Sequence, residues 1–268
     1  MKKIKTLLLH AFLMISSLLS LFPFYWMIVG ATNQSKDITA GRLWFGKEFL
    51  NNLNAVQSSA DIFQSIKNTA FITCIQVPLA LLICSMAGYG FEKYQSKARN
   101  KLFNVFLLTM MIPFAAIMIP LFNLMFDVNM IDTKISVIAA ALANTFLIFF
   151  FRQSFKSFPN EIMEAARIDG AGELKIFFRI AMPPMKSTFA AGFIYAFMKE
   201  WNNYLWPLLT LQSTENKTLT LFISGLSSAY YVDYGQVLVS VVIATIPTII
   251  IFMTMQKYFV AGILGASK

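Results

Sequence analysis

In this 268-residue chain, one ionisable pair lies within an apolar run long enough to cross a bilayer: Lys199-Glu200, in the run Pro183–Leu209. A charge near the middle of a membrane helix costs about 2.5–3.5 kcal/mol on insertion scales, so such residues are rare and commonly functional. Counted as a helix from Pro183, Lys199 stands ~24 Å along the axis, in the outer third of the span. There a long stem can reach towards the interface and lower the cost. Two readings are open: an interfacial pair near the helix end, or the lining of a polar substrate path. The run continues as Trp201-Asn202-Asn203-Tyr204-Leu205-Trp206. Aromatic faces and amides suit a sugar, stacking on its apolar ring faces and bonding its hydroxyls. Trp201, Asn202, Asn203 and Tyr204 are candidates for such a path, with Asn123 and Asn144 from two other apolar runs. The plainer alternatives are an aromatic belt at the interface and amide hydrogen bonds between helices.

Other chemistry is thin. The single His, His10, leaves no metal cluster and no nucleophile–His pair, so neither a catalytic residue nor a metal site is expected. Cys74 and Cys84 share one apolar run, separated by ~15 Å of helical rise, beyond the reach of a disulfide. Gly41–Lys47 fits most of a phosphate-loop pattern, but Glu48 stands where a magnesium-holding Ser or Thr belongs and no buried strand precedes it. Asn33-Gln34-Ser35 and Asn216-Lys217-Thr218 match glycosylation sequons, a pattern too common to carry weight.

The segment 159–172 is more informative. Pro159 and Asn160 suit a helix start, and Glu161 and Glu164 suit the positive end of its dipole. Ile162, Ala165, Ala166 and Asp169 fall on one stripe at helical spacing, and the paired alanines form a low ridge that another surface can approach. Gly170 and Gly172 can take positive φ and turn the chain. A second short helix, Glu173–Ala181, then leads to Pro183-Pro184. A short helix held between two spans can pass a push from a cytosolic partner into the membrane; it can equally rest on lipid headgroups.

The elements that must hold these residues follow from composition. The chain is 57% hydrophobic, 15% aromatic and 13% charged, about half the charge a soluble domain carries, so much of its surface faces lipid. Six runs can cross ~30 Å of hydrocarbon as helices: Leu7–Val29, Asn68–Gly90, Leu102–Phe126, Ile135–Phe155, Pro183–Leu209 and Gln236–Phe259. The first follows a basic start like that of a secretory signal, but its apolar run is too long and lacks a small-x-small site, so it reads as an uncleaved helix. With the N-terminus inside, fifteen of the 22 Lys and Arg fall on the inner side and six outside, which places both termini in the cytoplasm. The net charge of +9 is thus a matter of topology rather than of nucleic acid. Two loops are long, 30–67 outside and 156–182 inside; the first reads as a cap or a flexible loop. One membrane domain spans 1–268.

With these residues laid out, a family resemblance emerges. Glu164-Ala165-Ala166, Gly170, Ile180 and Pro183 resemble the EAA loop of binding-protein-dependent ABC importer permeases. The string Ile162–Ala171 is similar to its carbohydrate-importer, maltose-type (MalG-like) version. Further matches are Ser65 with Asn68-Thr69, Pro113 with Ile119–Phe122, Ile131-Asp132-Thr133, Trp201–Leu208, and the tail Gln256–Val260, Gly262 and Gly265-Ala266. The resemblance implies an all-α polytopic protein of the bacterial cell membrane with the ABC type I importer permease fold. It implies half of the path for a carbohydrate moved by alternating access. The implied partners are a second homologous permease, a dimeric cytosolic ABC ATPase and an extracytoplasmic solute-binding protein. ATP and Mg would be bound by the ATPase, with no cofactor in this chain and no catalysis by it. Glu164, Ala165, Ala166, Asp169 and Gly170 would couple to the ATPase. Before Trp201 the family pattern is less charged, which makes Lys199-Glu200 a local feature. Three rivals are weighed: a permease for another polar solute, an ion-coupled secondary transporter and an intramembrane enzyme. The secondary transporter would need buried carboxylates and repeat symmetry. The enzyme would need a metal cluster or a nucleophile–His pair.

Overall fold

A computed structural model describes residues 2–59 and 61–265 of the protein. Ala266 of the tail match lies outside the described residues, as do the tail side chains from Phe259 on. Among the described residues every regular element is helical. In chain order they are α1 (Lys2–Ala31), α2 (Ser35–Thr39), α3 (Phe49–Ser59), α4 (Ile62–Lys93), α5 (Lys97–Thr109), α6 (Phe114–Asp127) and α7 (Lys134–Ala141). There follow α8 (Thr145–Lys156), α9 (Asn160–Ile168), α10 (Glu173–Ile176), α11 (Lys186–Trp201), α12 (Leu205–Thr210), α13 (Leu219–Ser227) and α14 (Tyr234–Gly265). A π turn over Phe177–Ala181 and a 3-10 turn over Pro183–Met185 join α10 to α11.

Among the described residues, four segments are long and apolar enough to cross a membrane: Lys3–Ala31, Ile62–Lys93, Lys134–Lys156 and Tyr234–Tyr258. They overlie four of the six expected runs. The expected span Leu102–Phe126 is instead two helices, α5 and α6, bent by 102°. The cause is local: Pro113 has no N–H to continue the ladder and disfavours helical geometry at Ile112. Met110, Met111 and Ile112 accordingly close three-residue turns onto Leu107, Leu108 and Thr109. The expected span Pro183–Leu209 is also broken, into α11 and α12. Here side-chain amides compete with the ladder: Asn202 Nδ2 donates to Met198 O at 2.8 Å, and the main chain of Asn203 turns back to Glu200 O at 3.0 Å. A third break interrupts the Lys134–Lys156 crossing between α7 and α8, where Asn144 is extended and its Oδ1 caps the amide of Leu147 at 3.1 Å.

The chain forms two compact units, Met1–Ile66 with Leu221–Ile246 and Lys67–Thr220 with Pro247–Lys268. In the first, α1 presents apolar side chains from Ile4 to Ile28 outwards, while Val29 and Ala31 at its end are buried. Within the 30–67 stretch, the segment around α2 and α3 is tied by side chains to the end of α1. Asn33, 1% exposed, donates to Val29 O and Trp44 O at 2.8 and 2.9 Å, which puts its sequon out of reach. Asn52 donates to Ala31 O and Asn33 O, both at 3.0 Å. Asp233 caps α14 through the amide of Gly235 at 2.9 Å and accepts the Ser35 hydroxyl at 2.6 Å. Burial acts to raise its pKa, but Ser35, Gln236 and Gly235 outweigh it and hold the carboxyl below the ordinary Asp range.

In the second unit the core is aromatic. Tyr89 packs edge-on against Phe155 and Phe177, each at 5.4 Å between ring centroids, and Phe151, Phe155, Met163 and Ile176 are fully enclosed. At Gly88 a β-carbon would lie 2.8 Å from both Arg152 N and Phe151 Cβ, so α4 and α8 meet backbone to backbone there. Both cysteines are free.

Candidate functional site

The three helix breaks converge. A cavity of about 630 Å³ is lined by Met110 and Phe114 from the α5–α6 bend, Ala141, Ala143, Asn144 and Thr145 from the α7–α8 break, and Asn202 to Leu205 from the α11–α12 break. Phe146, Tyr195, Lys199, Glu200 and Trp206 complete much of the wall. Irregular backbone inside a bilayer is tolerated where it is packed in protein or lines an aqueous cavity, and discontinuous helices at such a cavity are a recurrent way to build a transport site.

The groups freed by the α7–α8 break are met by one face of α4. Gln76 Nε2 donates to Ala141 O at 3.1 Å, and Cys84 Sγ lies 3.5 Å from the carbonyls of Leu142 and Asn144. Further along the same helix, Asn68 Nδ2 donates to Glu215 O and Lys217 O at 2.7 and 2.9 Å, and Thr69 Oγ1 accepts Leu219 N at 2.8 Å. The sequence reading gave these residues no part in a site. The signal was present: Thr69, Thr73, Gln76 and Cys84 recur at helical spacing inside an apolar run, as a polar stripe must when it serves a neighbour's backbone.

Six of the eight path candidates line the cavity: Asn144, Lys199, Glu200, Asn202, Asn203 and Tyr204. Asn123 does not; it is exposed on α6. Trp201 is 6% exposed and stacks on Phe197 at 5.4 Å. Trp206, 2% exposed, donates its Nε1 to Ser136 O at 3.1 Å. Neither tryptophan belongs to an interfacial belt, because both are turned into the protein by these contacts. Lys199 and Glu200 also make no ion pair with each other. Successive helix residues point about 100° apart. Glu200 is 6% exposed, with both oxygens 3.4 Å from Asn203 Nδ2, whereas Lys199 stands open. Tyr195 and Phe146 add a tilted aromatic pair at 4.5 Å.

The loop between α8 and α11 is built as a rigid bracket. Pro159 precedes α9 in extended geometry, Gly170 takes φ +78°, and Gly172, at φ −69°, does not need the freedom expected of it. The helix face differs from the predicted stripe. Met163 and Ala166 turn inwards, 1% and 8% exposed, because Tyr89, Phe155 and Phe177 form the floor beneath α9. Glu164, Ala165, Asp169 and Gly170 face out, beside Ile162 and Ile168, 48% and 86% exposed. Arg167 Nε and Glu173 Oε1 pair at 2.7 Å, Tyr89 donates its hydroxyl to Glu173 at 3.2 Å, and Lys93 Nζ donates to Phe158 O and Asn160 Oδ1 at 2.6 and 2.9 Å. The Arg167 guanidinium holds the Glu173 carboxyl below its usual range against a smaller opposing effect of burial. The sequence reading did not assign Glu173 this role.

Similarity to known proteins follows the same lines. The family described as binding-protein-dependent transport system inner membrane component matches residues 80–265. The lactose transport system permease protein LacG of Rhizobium radiobacter is 43% identical over 267 residues, covering 100% of this chain and 98% of its own length. The arabinooligosaccharides transport system permease protein AraQ of Bacillus subtilis (strain 168) is 35% identical, covering 95% and 92%. Among solved structures, a chain of a bacterial ABC transporter involved in the import of the acidic polysaccharide alginate superposes with a TM-score of 0.85. It is 24% identical, covering 96% of this chain and 97% of its own, and shares the fold.

Proposed function

Because the chain belongs to the family of binding-protein-dependent transport system inner membrane components, a family of multi-pass membrane permeases, we propose that it is one of two permease subunits of an ATP-driven importer of sugars or oligosaccharides. The observation that carries this reading is the end-to-end similarity, at 43% identity, to a lactose permease. The cavity at the three helix breaks is its half of the translocation path. Six crossings result when α5–α6 is counted as one and α11–α12 as another; the basic residues then favour both termini in the cytoplasm.

In this reading α9 docks on a cytosolic ATPase that binds ATP and Mg. Glu164, Ala165 and Asp169, with exposed Ile162 and Ile168, form the contact face, and Gly170 turns the chain away from it. Ala166 supports that face from beneath. The Arg167–Glu173 pair and Lys93 make the loop stiff enough to pass a displacement to α4 and α8. Closing of the ATPase pair would open the path to the solute-binding protein, and hydrolysis would reset it.

The test is purification through a C-terminal tag after co-expression with the neighbouring transport genes. Co-elution of a second permease and an ATPase pair, with hydrolysis stimulated by sugar-loaded binding protein, is expected. Sugar movement down an ion gradient in liposomes by the lone chain would instead establish a secondary transporter.

A further inference from the structure

Among the described residues, the cavity wall carries one cation, Lys199, and one acid, Glu200. They form no ion pair with each other: Glu200 is buried against Asn203, whereas Lys199 stands open. An ammonium that faces the cavity with no anion bonded to it is available to an anionic group on a cargo, as a charge-assisted hydrogen bond. We propose that Lys199 recognises the carboxylate or phosphate of an acidic sugar.

The surroundings suit such a group. The amides of Thr145 and Phe146, at the start of α8, have no acceptor within the helix, and both residues line the same cavity. They present the positive end of a 12-residue helix to it. The Tyr195–Phe146 pair supplies an apolar plane for a pyranose ring, and Asn202, whose Nδ2 is engaged with Met198 O, leaves its carbonyl oxygen for a hydroxyl. A neutral sugar would use the plane and the amide and leave Lys199 unmatched. The inference rests on reading the chain as the permease half of an importer and adds the class of sugar.

The experiment measures equilibrium binding of digalacturonate, glucose 6-phosphate and neutral galactobiose to the complete complex in nanodiscs. It compares wild type, Lys199→Gln and Lys199→Arg, each first shown to elute as the intact assembly. Wild type is expected to bind at least one anionic probe about tenfold more tightly than galactobiose, the scale of a charge-assisted hydrogen bond; the preferred probe identifies carboxylate or phosphate. Lys199→Gln should erase that preference and Lys199→Arg should keep it. Galactobiose bound as tightly as both anions, loss of all three probes alike in Lys199→Gln, or no binding at all overturns the proposal. The same preparations report ATP hydrolysis with and without solute-binding protein, so a functioning importer lacking the anion preference sinks this inference alone.

Discussion

One oxygen of Asp132, Oδ1, accepts both the amide and the hydroxyl of Ser213 at 3.1 Å, joining the turn after α6 to the turn after α12. Gln212 N at 3.0 Å adds to the same oxygen, and Asn216 Nδ2 reaches Asp132 O at 2.7 Å. Burial acts to raise the Asp132 pKa, but Ser213, Asn216 and Gln212 outweigh it and hold the carboxyl below its ordinary range. A carboxyl more acidic in the folded than in the unfolded chain contributes stability above the ordinary Asp value of about 3.9. That contribution is lost as pH falls from there through the folded value. Asp132 has φ +59°, which Asn tolerates. Asp132→Asn should therefore keep the backbone, lower stability at pH 7 by about 1–3 kcal/mol, and narrow its gap to wild type as acid is added. Thermal melting of the purified complex between pH 3 and 7 measures this; a gap constant with pH would show that charge plays no part.

The α7–α8 break gives a second prediction. Asn144→Ala removes the cap on Leu147 and should cost about 0.5–2 kcal/mol. Gln76→Leu strands the Ala141 carbonyl and should cost about 1–3 kcal/mol. Since both side chains hold one break, the double variant should lose less than the sum. Denaturation of the four proteins gives the coupling, and strict additivity would separate the two roles.

Gly88 and Gly90, two residues apart on α4, should respond in opposite directions. A side chain at Gly88 meets the backbone nitrogen of Arg152, which cannot swing aside. Gly88→Ala is expected to cost about 1–3 kcal/mol through overpacking and to lower the yield of folded protein. Gly90 has open space around its would-be β-carbon, so Gly90→Ala should stabilise by up to about 1 kcal/mol, the helix-propensity difference. Expression yield and melting temperature of the two variants decide it.

On the loop between α8 and α11, stability and coupling should separate. The Arg167–Glu173 pair is partly exposed, so Glu173→Gln should change stability by less than about 1 kcal/mol. It should nonetheless raise the ATP hydrolysed per sugar imported, by loosening the bracket under α9. Ile168→Asp places a charge on the outward face; it should leave the subunit's melting unchanged while the ATPase no longer co-elutes. Retained ATPase would move the docking face elsewhere.

The sequence reveals apolar crossings well, because the bilayer demands length and apolarity in one continuous run. The interruptions are harder to read. Pro113 announces the α5–α6 bend, but Asn144 and Asn202 look the same whether they bond a neighbouring helix or cap their own chain. The cavity was legible as a list, six of whose eight members meet there, since amides and charges inside apolar runs have few other places to go. Asn123 and Trp201 show the limit of that argument: residue type says what a side chain can bond, not which way the helix is turned. The same limit governs α9, where Ala165 and Ala166 are neighbours in sequence and face opposite environments. The ties made by Asp132 and Glu173 depend on partners brought close by the fold, 81 residues away for Asp132 and Ser213 and 84 for Tyr89 and Glu173.

Between Ile4 and Ile28, α1 turns nearly every side chain outwards, so apolarity, not fit to a neighbour within the chain, is its chief constraint. Leu, Ile, Phe or Met can be exchanged there with little consequence for packing within the chain. The helix is free to drift as α4, matched atom by atom to its neighbours at Gly88 and Gln76, is not.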